Sequence, residues 1–286
     1  MPELPEVETL KRELNKSLTS LTIKEVQILW SKSVLPLSPS LFIKNLTGAK
    51  IIGLDRRAKI LIINLSKENH LAFHLKMTGQ LIFVPKRGET ISGGHPTADV
   101  QAPGKHTRII FTFTNGDHLY FNDLRKFGWS RFINKKELQA LTKNIGPEPL
   151  TKAFTEKYLI EIFKKYPNRT VKQILLDQNL IAGIGNIYAD EASYLSGVLP
   201  MKRVKDLTQK EITELHKNII GVLKLSIKYK GTSSKNYRRS DGSLGGFVPY
   251  LNVYGRHHET CKKCGSVIQK IKHAGRGTHY CPTCQK

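Results

Sequence analysis

The chain has 286 residues and carries 46 lysines and arginines against 23 aspartates and glutamates, a formal net charge of +23. That length suits two modest domains, each with its own core, and a hydrophobic content of 39% is enough to fold, which excludes a disordered chain. So large an excess of cations points to nucleic acid as partner. With no long uncharged apolar run, signal-peptide architecture or lipidation motif, a membrane is excluded as partner, and a cytoplasmic or bacterial nucleoid-associated protein is expected.

The chain opens Met1-Pro2-Glu3-Leu4-Pro5-Glu6-Val7-Glu8-Thr9. Removal of Met1, which precedes a small residue, leaves Pro2 as the N-terminus. Its secondary amine has a pKa near that of an α-amino group, roughly 7.7–8.0 against about 10.4 for lysine, so a useful fraction is nucleophilic at neutral pH. Attack on an aldehyde-like carbon gives an iminium that keeps its positive charge and draws electrons from the neighbouring C–H bond. Glu3 and Glu6 bring acid–base groups within a turn of that amine, although glutamates also favour a helix N-terminus. Leu4, Val7, Leu10, Leu14 and Leu18 then recur at helical spacing, with Pro5 tolerated in the first turn.

From Lys24 to Phe132 the pattern is β. Short β-branched or aromatic runs occupy residues 24–30, 50–54, 59–65, 70–75, 81–84, 108–114 and 118–121, with Asn115-Gly116 a hairpin signal between the last two. Seven such runs with no intervening helix predict an antiparallel sandwich or barrel-like domain. Residues 86–106, rich in Gly, Pro and His, read as a long loop.

Gly146-Pro147-Glu148-Pro149-Leu150 reads as a linker, after which the pattern turns helical. Tyr158, Leu159, Ile162, Phe163 and Tyr166 make one helical face; Val171, Ile174 and Leu175 make another. Ile187, Tyr188, Glu191, Ala192 and Leu195 follow Gly183-Ile184-Gly185-Asn186. A longer helix has Ile212, Leu215, Ile219, Val222 and Leu223 inward. The Gly-x-Gly-Asn turn opens a helix whose amides suit a phosphate, or Asn186 serves only as a cap.

All four cysteines lie in the last 26 residues, as Cys261-x2-Cys264 and Cys281-x2-Cys284. This spacing favours one tetrahedral Zn²⁺ on four thiolates over two disulfides, for which no oxidising compartment argues. The metal closes its coordination sphere with protein ligands, so it is structural, and it supplies folding energy that so short a tail cannot. Residues 267–271 and 278–280 read as two strands, with Arg276 between two glycines at the tip of their connection.

At this point the motifs resemble a known family. PELPEVET at the start, HLKMTGQL at 74–81, NDLRKFG at 122–128, NLIAGIGNIYADE at 179–191 and HAGRGTHYCPTCQ at 273–285 are similar to formamidopyrimidine-DNA glycosylases, bacterial base-excision repair enzymes that remove 8-oxoguanine and ring-opened purines. The likeness runs over nearly the whole chain in order. It implies an α+β multidomain protein: an antiparallel β-sandwich with an N-terminal helix (1–145), a helix–two-turns–helix domain carrying a lesion-recognition loop at 231–247 (146–258), and a zinc-finger β-hairpin (259–286).

By the same resemblance, Pro2 is the nucleophile that attacks C1′ and Glu3 its acid–base partner. Lys59 is linked to base release and β-elimination, and Arg276 binds phosphate beside the lesion and serves the second elimination. Asn186 holds backbone phosphate, and His74, His106 and Arg125 contact DNA. Met77, Arg125 and Phe127 fill the gap left by the extruded base, which must leave the stack for the chemistry to occur. The implied partner is duplex DNA with oxidised bases or abasic sites, met by a monomer holding one structural Zn²⁺ on Cys261, Cys264, Cys281 and Cys284. The chain departs from the pattern in a longer 86–106 segment and in His279, where an aromatic is expected. Leu4 with the Met77, Arg125 and Phe127 set argues against the related endonuclease VIII type, which takes oxidised pyrimidines. A non-catalytic zinc-ribbon DNA-binding protein would need none of Pro2, Glu3 and Lys59.

Overall fold

A computed structural model describes residues 1–94, 102–232 and 246–286. The chain forms two compact units, Met1–Asn144 with Lys230–Gly246, and Ile145–Tyr229 with Phe247–Lys286.

In the first unit the elements run α1 (Leu4–Leu18), β1 (Ile23–Ile28), α2 (Pro39–Leu46), β2 (Ile51–Arg57), β3 (Ile60–Leu65), β4 (Asn69–His74), β5 (Gly79–Val84), β6 (Ile91–Gly94), β7 (Thr107–Phe113), β8 (His118–Asp123), β9 (Trp129–Asn134) and α3 (Lys135–Thr142). The strands make a five-stranded sheet in the order β1-β7-β8-β5-β6 and a four-stranded sheet in the order β2-β3-β4-β9, with every pairing antiparallel. Their inward residues share one core. Phe73 of the smaller sheet meets Phe111 and Phe121 of the larger, ring centroids 6.1 and 5.6 Å apart, and Leu61, Ile63 and Leu71 share the same buried cluster with Leu81, Phe83 and Leu119. The sandwich is the observed form of the predicted β domain.

Helix α1 lies along the edge strands β2 and β6, where its apolar stripe Val7, Leu10, Leu14 and Leu18 enters the core. A Cβ at Gly93 of β6 would stand 2.6 Å from Leu10 Cδ1, so glycine is what lets helix and strand approach. That strand falls within the stretch read as a loop. Residues 95–101 of the stretch lie outside the described residues.

Helix α2 corrects the expectation of no helix among the strands. Ser38 caps it, its hydroxyl accepting from the Leu41 N–H at 3.3 Å, and Pro39 occupies the first turn, both ordinary start signals. Only Phe42 and Leu46 are buried on it, too few to register as a stripe.

The second unit holds α4 (Glu156–Lys165), α5 (Val171–Leu176), α6 (Asn186–Leu195), α7 (Gln209–Lys228), β10 (Gln269–His273) and β11 (Arg276–Tyr280). The helices bury the predicted faces around Tyr188, with Ile162, Ile174, Leu215, Ile219 and Leu223 in the cluster, although Leu195 turns outward. Buried Glu191 on α6 accepts N–H bonds from Asn252, Val253 and Tyr254 at 2.8–3.0 Å and so fixes the chain's entry into the zinc-finger segment. Among the described residues no helix is long and apolar enough to cross a membrane.

Candidate active site

Pro2 and Glu3 are both buried at the head of α1. Glu3 is the N-cap in a reciprocal capping box: its side chain accepts the Glu6 N–H while Glu6 Oε2 accepts the Glu3 N–H at 2.9 Å, satisfying two donors that a helix start leaves open. Glu6 does more than the sequence suggested. Its Oε1 also accepts from the backbone N–H and hydroxyl of Thr232, at 2.9 and 3.0 Å. One buried carboxylate therefore joins the segment bearing Pro2 to Gly231-Thr232, where the expected lesion-recognition loop begins. Thr232 and Gly246 form an antiparallel bridge; the loop's residues 233–245 lie outside the described residues.

Lys59 is buried in the two-residue turn between β2 and β3, beside Ala58 with φ +52°. Arg56 ties this hairpin to α1, donating from Nε to Glu8 Oε2 at 3.1 Å and from Nη1 to the Ala58 carbonyl at 2.9 Å. Burial pushes the Glu8 carboxyl up, but hydrogen bonds from Arg12, Arg56 and Lys11 outweigh it and hold the group below its ordinary value. His74 pairs with Ile60, the residue after Lys59. Burial first, then the cations Lys76 and Lys59, push His74 down to about 3, so its imidazole is neutral. Its Nδ1 accepts the Lys76 N–H at 3.0 Å, which puts the ring proton on Nε2 as a donor.

Met77 and Phe127 are 40% and 55% exposed, large apolar side chains that a core would have claimed. Arg125 is exposed beside them, its guanidinium carbon 4.8 Å from the Phe127 ring centroid. His106 lies half-buried against the same loop, its carbonyl accepting the Asp123 N–H at 2.9 Å.

In the second unit, Asn186 and Arg276 come together. Gly185 is the N-cap of α6 and Asn186 the first helical residue, which corrects the capping alternative. Instead Asn186 Nδ2 donates to the Gly277 carbonyl at 2.9 Å, next to Arg276. The hairpin turn also differs from expectation. It is the two residues Ala274-Gly275, φ +50° and +71°, and exposed Arg276 opens β11 opposite His273 rather than standing at the tip. Beneath it lies a network the sequence did not announce. Lys172 and Asp190, both fully buried, pair at 2.6 Å. Lys172 Nζ also donates to Thr278 Oγ1 at 2.8 Å and the Gly277 carbonyl at 3.2 Å, and Asp190 Oδ2 accepts the His279 N–H at 2.9 Å. His279 Nδ1 lies 3.2 Å from the same oxygen. The unexpected histidine thus adds a side-chain contact, which a phenyl ring could not make, to an oxygen that its own backbone N–H already reaches.

The sulfurs of Cys261, Cys264, Cys281 and Cys284 all lie within 4.8 Å of one another. The N–H groups of Lys263 and Cys284 point at Cys261 Sγ and Cys281 Sγ, both at 3.4 Å, the donors a thiolate knuckle needs. Four converging thiols with no side-chain base among them fit one closed, structural zinc.

A β-sandwich opening on Pro-Glu, a helical unit and a four-cysteine hairpin together define a zinc-finger DNA glycosylase. Residues 1–130 match the family model described as the formamidopyrimidine-DNA glycosylase N-terminal domain, 145–238 that of its H2TH domain, and 259–286 the zinc finger found in FPG and IleRS. The chain belongs to the formamidopyrimidine-DNA glycosylase family. It is 41% identical to the formamidopyrimidine-DNA glycosylase of Carboxydothermus hydrogenoformans and 38% to that of Lactobacillus acidophilus, covering 100% of this chain in each case and 100% and 99% of those proteins. Among solved structures it is similar to a Lactococcus lactis FPG mutant in complex with a Fapy-dG-containing DNA (TM-score 0.88, 37% identity, both chains covered completely). It is also similar to the Lactococcus lactis Fpg bound to a DNA with an abasic site (TM-score 0.88, 37% identity, 99% of each chain).

Proposed function

We propose that this protein excises 8-oxoguanine and formamidopyrimidines from duplex DNA through an iminium on Pro2, and then cleaves the strand at the emptied sugar. The observation that carries the reading is the buried Pro2-Glu3 pair at the head of α1, held by Glu6. The capping box would serve any helix start, but a non-catalytic DNA-binding protein needs no buried N-terminal proline beside it.

Once Met1 is removed, the Pro2 nitrogen attacks C1′ of the extruded nucleotide, the C1′–N bond breaks, and the base leaves with a proton. Glu3 assists opening of the sugar ring, in which the C1′–O4′ bond breaks, O4′ takes a proton and the nitrogen lone pair forms the iminium, and Lys59 serves base release and the first elimination. Loss of a 2′ proton sends its electron pair into a C–C double bond and expels the 3′ phosphate. A second elimination, with Arg276, expels the 5′ phosphate. Water then hydrolyses the iminium, frees the sugar fragment and restores the amine. His74 donates from Nε2 to a phosphate oxygen, and His106 and Asn186 hold the backbone. Met77, Arg125 and Phe127 occupy the gap left in the stack. The zinc on the four cysteines holds the hairpin that presents Arg276 and takes no part in bond making. The setting we infer is the bacterial cytoplasm, on the nucleoid.

Borohydride trapping tests this directly. A duplex with one 8-oxoguanine opposite cytosine should give a covalent adduct mapping to Pro2, absent with undamaged duplex and abolished when the N-terminal amine is blocked by acetylation. Strand cleavage by the N-acetylated protein at the rate of the unblocked one would remove the nucleophile assignment. An adduct with oxidised pyrimidines alone would replace the substrate class.

A further inference from the structure

Strands β5 and β8 are neighbours, with Gly79 paired to Asp123. The turn that enters β5 and the turn that leaves β8 therefore emerge side by side. The first carries Met77; the second carries Arg125 and Phe127. They are joined by two buried polar residues, Thr78 and Asp123, that the mechanism does not use.

The Thr78 hydroxyl donates to Asp123 Oδ1 and accepts the Arg125 N–H at 3.0 Å. The same Oδ1 stands 3.3 Å from that N–H, while Oδ2 accepts the Gly128 N–H at 2.6 Å. One carboxylate thus clamps both ends of the loop at 124–127, and its hydroxyl partner belongs to the Met77 turn. The surrounding contacts leave little slack. A Cβ on Gly128 would lie 2.8 Å from Phe121 Cζ and 3.1 Å from Asp123 Oδ2. Arg108 Nε donates to the Asp123 carbonyl at 2.9 Å, and Lys126, with φ +60°, places its ammonium 4.1 Å from the Trp30 ring centroid. On the Met77 side, Gly79 N–H closes the turn onto the Leu75 carbonyl at 2.7 Å. Two exposed apolar side chains and an exposed guanidinium stand on backbone that is fixed from beneath.

Resting on the reading of Met77, Arg125 and Phe127 as the gap-filling set, we propose that Thr78 and Asp123 are positioning residues that preset the two turns as a single wedge. The three side chains then enter the stack together as the base leaves. Loops that had to order at that moment would add their conformational entropy to the barrier for extrusion. Thr78 is suited to this as donor to one partner and acceptor from the other, a dual role that valine, of the same shape, lacks.

The test is single-turnover base release from a duplex bearing 8-oxoguanine opposite cytosine or adenine, in a mutant cycle. Thr78→Val should slow release about 10- to 100-fold, the scale of a small misplacement of a reacting geometry, and narrow the preference between the two opposite bases as Arg125 loses its anchor. Thr78→Ser, which keeps both hydrogen bonds, should recover most of that loss, and Asp123→Asn should mimic Thr78→Val where it folds. In a Met77→Ala/Arg125→Ala/Phe127→Ala background, Thr78→Val should cost less than about threefold, because coupled residues are not additive. A full-sized effect of Thr78→Val in that background, or no effect in the intact protein, would overturn the proposal. If Met77→Ala/Arg125→Ala/Phe127→Ala itself released base at the wild-type rate, the gap-filling reading would fall first, and the positioning role with it.

Discussion

Glu8 shows how much one carboxylate can do for a site it does not enter. It receives Arg56 from the Lys59 hairpin, and Arg12 and Lys11 from its own helix, at 2.7–3.2 Å. The Arg56 bond matters most for stability, because that side chain is only 8% exposed, whereas Arg12 is mostly solvated and such pairs are worth little. Glu8→Gln should destabilise the protein by roughly 3 kcal/mol at neutral pH, the lower end for breaking a buried pair. The pH dependence has a definite sign. A carboxyl held below its ordinary value of 4.5 adds stability that is complete above about that pH and is lost as the pH falls through the folded pKa. The gap between wild type and Glu8→Gln in chemical denaturation should therefore narrow between pH 5 and pH 3; a constant gap over that range would assign the cost to packing. None of this was legible beforehand. PELPEVET exposes its candidate chemistry because the proposed nucleophile and the carboxylates are neighbours in sequence, but Arg56, the buried partner of Glu8, stands 48 residues away, and no local pattern marks it.

The same divide governs the elements. Helix α1 and the core strands were readable because each buries a regular stripe or alternation. Strand β9 was not, since it is an edge strand with a mixed burial pattern, and α3 buries no residue at all. The only local signal for α3 is its capping box, Asn134 with Glu137. Strand β6 ends in two glycines that look like loop until α1 is packed on them. In the second unit the legible motifs, Gly-x-Gly-Asn and the arginine hairpin, are joined by the illegible pair Lys172 and Asp190. Breaking it should cost about 3–5 kcal/mol, because a charge is left buried without its partner. Asp190→Ala should reach that figure in urea denaturation, whereas Lys172→Met/Asp190→Leu should cost less than the two single changes added together. Strict additivity would mean that the two side chains act independently, and that the hairpin is held by zinc and backbone alone.

At the scale of the whole molecule, +23 charges and a site for one flipped base answer different questions. The charge brings the protein to DNA of any sequence, by displacing counterions from phosphate. It cannot tell a damaged base from an intact one, since both duplexes carry the same phosphates. On the proposed reading, discrimination falls instead to groups that act only once a base has left the stack, among them the wedge proposed on Met77, Arg125 and Phe127. Raising the salt from 50 to 200 mM should then weaken binding to undamaged duplex on the order of 10³-fold, the value for about six neutralised phosphates. Binding to a duplex with an abasic-site analogue should weaken by nearly the same factor, leaving the ratio of the two affinities almost unchanged. Anisotropy titrations over that range decide the matter. A ratio that collapsed with salt would mean that the lesion is recognised through extra phosphate contacts, made by the cations of a rearranged protein. A constant ratio would assign recognition to groups that make no net charge contact, such as the proposed wedge, and leave the basic surface the task of search.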